Sequence, residues 1–108
     1  MFYKSADRII LEDNHILSCR CRDKDGQMKY ARFDLNTCIG NNNGRFHWNG
    51  HDFTSSASQI HLTLEGNDRA PILHAQLNDR HGSQQSASLN LGDCLKNVNG
   101  KLEYMECW

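Results

Sequence analysis

Phe33-Asp34-Leu35-Asn36-Thr37-Cys38-Ile39-Gly40-Asn41-Asn42-Asn43-Gly44-Arg45-Phe46-His47-Trp48 is the stretch that decides the fold, because the chain repeats it 56 residues later as Leu89-Asn90-Leu91 through Asn97-Val98-Asn99-Gly100-Lys101-Leu102-Glu103-Tyr104. Each copy carries an Asn-Gly pair, Asn43-Gly44 and Asn99-Gly100, flanked by alternating apolar residues. Asn-Gly suits a type I′ turn, whose two central residues both need positive φ, so each copy predicts a β-hairpin. Just upstream, residues 34–39 and 90–95 open on an Asx residue and read as short helical turns.

The match extends outward. Ile16-Leu17, Asp23, Gly26, Ala31 and Leu35 fall on Ile72-Leu73, Asp79, Gly82, Ala87 and Leu91, with roughly ten identities in about thirty ungapped positions. Further upstream, Phe2, Ser5, Ala6, Ile9 and Leu11 match Phe53, Ser56, Ala57, Ile60 and Leu62 at a smaller offset, which places extra residues of the second copy in the loop 65–71. Apolar residues alternate with period two: Leu17, Cys19, Cys21 and Ala31, Phe33, Leu35 in the first copy, Leu73, Ala75, Leu77 and Ala87, Leu89, Leu91 in the second. The expected fold is all-β: two tandem repeats, each a three-stranded antiparallel sheet plus a β-hairpin with short helical turns. About fifty residues of this kind bury too little to stand alone, so the copies should share one core.

The length of 108 residues fits one small domain. A net charge of −1 supplies no global positive field, so no nucleic-acid partner is expected. The five cysteines are odd in number, and Cys19 and Cys21, two apart in a strand, project from one face, where a bond between them would distort the strand. Buried free thiols are the expectation. No apolar leader opens the chain and no N-glycosylation sequon occurs, so the expected location is cytoplasmic, or outside after export without a recognisable signal peptide, with no membrane insertion. No metal or cofactor is expected: His47 and His51 have helical ligand spacing, but Asn49-Gly50 between them forbids a helix. No nucleophile elbow or phosphate loop appears, so the chain does not read as an enzyme.

The doubled motif resembles the D-L-N-x-x-I-x-N-x-D/N-G-x-[LF]-x-W signature of the cyanovirin-N homology family of mannose-binding lectins, and the resemblance covers nearly the whole chain. It implies that the two repeats exchange hairpins within a single domain spanning residues 1–108. Lobe A would be residues 1–39 plus 94–108 and lobe B residues 40–93. It also implies one shallow sugar site at the far end of each lobe, for terminal Manα1-2Man units of high-mannose oligosaccharides or glycoproteins. Of the four positions of the family's disulfides only Cys21 is Cys here, the others being Ala6, Ala57 and Leu77, so the chain looks like a disulfide-free member. Gly50 stands where a family hinge proline is linked to domain swapping, so a closed monomer is expected, with a swapped dimer as the alternative.

Carried over residue by residue, the family's lobe B site falls on Asn41, Asn43, His51, Asp52, Ser55, Ser56, Asn78, Asp79, Arg80 and Gly82. The lobe A site falls on Lys4, Ser5, Arg22, Asp23, Lys24, Asn97, Val98 and Asn99. Such residues suit a neutral, well-hydrated sugar, whose displaced waters must be replaced by hydrogen bonds. Gly40 and Ser55 stand in place of two family Glu, and Arg22 and Lys24 in place of a Glu and a Thr, making the lobe A groove basic. Long cations donate but cannot accept. The bland role for the hairpin Asn residues is to make the turns, and Trp48 and Tyr104 read as core. The alternative function is a non-enzymatic structural or protein-interaction module whose sugar sites are degenerate.

Overall fold

The computed structural model describes residues 1–106. Strands β1 (Ala6–Glu12), β2 (Ile16–Arg22) and β3 (Met28–Asp34) form one antiparallel meander, and β4 (Ile39–Asn42) and β5 (Arg45–Trp48) the first hairpin. The second copy repeats this with β6 (Ala57–Glu65), β7 (Ala70–Asn78) and β8 (Gln84–Asn90), then the hairpin of β9 (Leu95–Val98) and β10 (Lys101–Tyr104). Short 3-10 helices cover Phe2–Ser5, Leu35–Thr37 and Phe53–Ser56.

Both Asn-Gly pairs make the expected turn: φ is 53° and 88° at Asn43 and Gly44, and 52° and 88° at Asn99 and Gly100. Both Asx openings also form, Asp34 Oδ1 accepting from the Asn36 N–H at 2.9 Å and Asn90 Oδ1 from the Gly92 N–H at 2.8 Å. The two segments then diverge. Residues 35–37 are a 3-10 helix, whereas 91–94 are a hydrogen-bonded turn, correcting the expectation of two matching helical turns. Asn36 binds Thr54 through its side chain, while its equivalent Gly92 is flattened under Tyr3, whose ring a Cβ at position 92 would overlap.

One repeated feature escapes the hydrophobic pattern. Strands β1 and β6 each carry a bulge, between Asp7 and Ile10 and between Ser58 and His61, with Arg8 and Gln59 in left-handed backbone at φ 52° and 53°. Each lies at one edge of its three-stranded sheet. A bulge there bends the edge and interrupts the ladder that another chain could extend.

The hairpins are exchanged. β9–β10 packs on β3 and the 3-10 helix Phe2–Ser5, while β4–β5 packs on β8 and Phe53–Ser56. Two lobes result, A and B, in a molecule 50 × 25 × 24 Å in extent. They share one continuous core that includes Phe2, Leu17, Leu35 and Ile39 with Phe53, Leu73, Leu91 and Leu95. Each such side chain contributes about 1.5–3 kcal/mol of burial. Trp48 and Tyr104, repeat equivalents, stack on each other with ring centroids 5.7 Å apart at 15°, and both pack against this core.

Cys19, Cys21 and Cys38 are buried free thiols, as expected, with the Cys19 and Cys21 sulfurs 3.3 Å apart. Burial, with the charge of Asp34 nearby, pushes the Cys38 thiol up to about 12. Cys94, the repeat equivalent of Cys38, is instead disulfide-bonded. The free-thiol expectation therefore holds for the first three only; the fifth cysteine, Cys107, lies outside the described residues. The family's own disulfides are absent, their positions 6, 57 and 77 being apolar.

The segment between the repeats is pinned. A Cβ on Gly50 would lie 2.8 and 2.9 Å from the Gly40 N and Cα, and the Asp52 N–H donates to the Asn36 carbonyl at 2.9 Å. Gly50 thus provides a close backbone approach.

Candidate functional site

At the outer end of lobe B the first hairpin is fastened to the second meander by two asparagines. Asn41 Nδ2 donates to Ser56 Oγ and to the Asn78 carbonyl, both at 2.8 Å, and its Oδ1 accepts from the Gly44 N–H at 2.8 Å. Asn43 Oδ1 accepts from the Arg80 N–H at 2.9 Å. Asp79 organises the β7–β8 turn: Oδ1 accepts from the His81 and Ser83 N–H groups at 2.9 and 3.0 Å, and Oδ2 from Gln85 Nε2 at 3.0 Å. The hydrogen bond from Gln85, followed by those from the Ser83 and His81 main chain and the nearby His81, holds the Asp79 carboxyl below its usual range against desolvation. Between hairpin tip and turn lies an open groove of about 530 Å³, lined by Asn42, Asn43, Arg45, Asp79, Arg80, His81, Gln85 and Ser86.

Lobe A is built on the same bonds. Asn97 Nδ2 donates to Ser5 Oγ at 2.8 Å and to the Arg22 carbonyl at 2.9 Å, while its Oδ1 accepts from the Gly100 N–H at 2.9 Å. Asn99 Oδ1 accepts from the Lys24 N–H at 2.9 Å, and Asp23 Oδ1 from the Asp25 and Gln27 N–H groups at 2.9 Å. The lobes part at the residue that reaches the carboxylate: Gln85 in lobe B, Lys29 in lobe A, whose Nζ is 4.0 Å from Asp23 Oδ2.

Of the residues expected in lobe B, the structure joins Asn41, Ser56 and Asn78 in one hydrogen-bonded cluster and sets Asn43, Asp79 and Arg80 along one groove, where Asn43 accepts from the Arg80 N–H. His51, Asp52 and Ser55 are exposed around the start of the 3-10 helix Phe53–Ser56, Ser55 Oγ donating to the Asp52 carbonyl at 2.9 Å. Gly82 is exposed in the β7–β8 turn at φ 82° with open space about it. In lobe A, Ser5, Arg22, Asp23, Lys24, Asn97 and Asn99 meet through the bonds above, while Lys4 and Val98 are exposed at their positions on the first 3-10 helix and the β9 end. Sequence reasoning missed Asn42, Arg45, His81, Gln85 and Ser86. Gln85 carried a usable signal, since it aligns with Lys29 in the repeat and follows the turn residue Asp79.

Each end thus offers carboxamides, main-chain groups and guanidinium or ammonium donors on a rigid, partly open surface, the chemistry of hydroxyl recognition. Among the described residues no group of three or more His, Cys, Asp or Glu has metal-holding geometry, and no helix is long and apolar enough to cross a membrane.

The chain is a pseudo-twofold all-β domain with a polar, asparagine-framed surface at each end. A family model described as the CVNH domain matches residues 2–103. A cyanovirin-N homolog of Neurospora crassa is 40% identical over 106 residues, covering 94% of this chain and 96% of that protein. The solution structure of a Gibberella zeae homolog matches with a TM-score of 0.93 at 39% identity over 97% of each chain. A designed cyanovirin-N homolog lectin matches at 0.90 and 36%, covering 96% of this chain and 98% of that one. The chain belongs to the cyanovirin-N homology family of carbohydrate-binding lectins.

Proposed function

We propose that this chain binds high-mannose oligosaccharides and glycoproteins by taking terminal Manα1-2Man units at the outer ends of both lobes, the lobe B end being the stronger for neutral mannose. The two lobes, residues 40–93 and residues 1–39 with 94–108, each act as one ligand-binding unit of a monomer. The observation that carries the reading is the doubled asparagine scaffold, Asn41 and Asn43 in one lobe and Asn97 and Asn99 in the other, which holds a polar surface rigid at both ends. Preorganised donors and acceptors limit the ordering cost of binding a hydrated sugar. In lobe B, Asn41, Asn43, His51, Asp52, Ser55, Ser56, Asn78, Asp79, Arg80 and Gly82 are the candidates to face the ligand; in lobe A, Lys4, Ser5, Arg22, Asp23, Lys24, Asn97, Val98 and Asn99. With two sites at opposite ends, a multivalent glycan gains avidity from weak contacts.

The test is an NMR titration of the protein with Manα1-2Man. Amide shifts confined to these residues, saturating at lobe B first, are expected; no shift at either end overturns the proposal. A second reading, a protein-interaction module with degenerate sugar sites, draws on one observation: the carboxamides of Asn41 and Asn97 and the carboxylate of Asp79 are already occupied within the protein. It predicts a silent titration.

A further inference from the structure

We infer that the lobe A end recognises a mannose unit carrying a phosphate or sulfate monoester, an inference that rests on the sugar-binding reading above and assigns the ligand class of one of its two sites. The shared scaffold makes the lobes comparable position by position. In lobe B the groove carries Arg45, Arg80 and Gln85. The repeat-equivalent positions in lobe A are Lys101, Lys24 and Lys29.

The positions of these lysines lie around the same hairpin tip. The Lys24 main chain is bonded to Asn99, Lys101 follows the turn glycine Gly100, and Lys29 lies over that glycine, where a Cβ would come within 3.0 Å of its Cγ. Across the junction, exposed Lys4 and Arg22 replace the Ser55 and Asn78 of lobe B. Acids do not offset the difference. Lobe A has Asp23 and Asp25 and lobe B has Asp79 and Asp52, while the Asp23 side chain is only 9% exposed, accepts two main-chain N–H bonds and stands 4.0 Å from one of these cations, Lys29 Nζ. Glu103, further along β10, faces Lys96 across the hairpin.

Five cations on one rigid end, around the same asparagine anchors that shape the neutral end, match a sugar with one added anionic group. Ammonium groups serve as point-charge donors to phosphoryl or sulfuryl oxygens. A bare polyanion would use the cations and ignore the asparagine-framed surface.

Titration of the protein by NMR with mannose, mannose 6-phosphate, mannose 6-sulfate, inorganic phosphate and Manα1-2Man separates the readings. Mannose 6-phosphate or mannose 6-sulfate is expected to shift the amides of Lys24, Lys29 and Gly100 and to bind about tenfold tighter than mannose, the gain of one charge-assisted hydrogen bond. Its affinity should fall as salt is raised. The ester that binds tighter identifies the group this end prefers. Lys29→Gln and Lys101→Gln should each remove most of this gain while leaving the Manα1-2Man response of lobe B intact. The inference is overturned if esters bind no tighter than mannose, if inorganic phosphate alone binds as tightly, or if a short RNA displaces the ester with higher affinity. Those results, with Manα1-2Man still binding at lobe B, leave the proposed function standing; silence toward Manα1-2Man at both ends removes that instead.

Discussion

Lobes A and B use one set of fastenings and finish them differently. Asn97 repeats the three bonds of Asn41, Asn99 repeats the bond of Asn43, and Asp23 repeats the turn made by Asp79. Around that skeleton, lobe B presents Arg45, Arg80 and Gln85 where lobe A presents Lys101, Lys24 and Lys29. The side chains that set geometry are spent internally, so discrimination between ligands passes to the neighbours in which the two ends differ.

The sharpest way to break this comparison is to cut the fastening in each lobe separately. Asn41→Ala and Asn97→Ala should each cost about 2–3 kcal/mol in urea unfolding, since each strands several partly buried groups. A much smaller loss at Asn97 would show that the two junctions are alike in geometry and unlike in strength. Next in size is Gly50→Ala. Its Cβ would press on the Gly40 backbone, and a loss of about 1–3 kcal/mol is expected by thermal or urea unfolding. A Gly50→Ala protein as stable as the parent would mean that this approach does not pin the first hairpin. The smallest effect is on acid titration. Because the Asp79 carboxyl is held low, chiefly by Gln85, its favourable contribution is complete above the ordinary aspartate pKa of about 4 and disappears as pH falls through the lowered value. Gln85→Met should move the Asp79 carbonyl-carbon titration, followed by NMR, back up toward the ordinary aspartate range; an unmoved midpoint would assign the shift to the turn amides instead.

Most of the fold was legible because its signals are local and doubled. Asn43-Gly44 and Asn99-Gly100 specify their turns through backbone conformation, and alternation from Leu17 to Cys21 or Leu73 to Leu77 specifies which strand face is buried. The bulges at Arg8 and Gln59 were not legible, since neither residue type favours positive φ. The divergence of residues 91–94 depends on Tyr3, a long-range contact that no local pattern carries. At the site, residue types and positions were readable, but their allocation was not. Asn41 could have faced ligand or protein, and only the placement of Ser56, Asn78 and Gly44 reveals that both amide hydrogens and one lone pair of its oxygen are used within the protein. Arg45 lies on an exposed hairpin strand and gains its place in the groove only where that hairpin meets the second meander, while Gln85 was readable only through its alignment with Lys29.

Exchange of the hairpins has a consequence for how such a chain could have arisen and for how it folds. A single repeat would hold a meander lacking its cover and a hairpin lacking its seat, and two separate copies would complete each other only at a concentration set by their affinity. Joining them through residues 49–52 turns that encounter into an intramolecular one. The present molecule is in effect two copies joined covalently, whose halves differ at their ends around a shared centre.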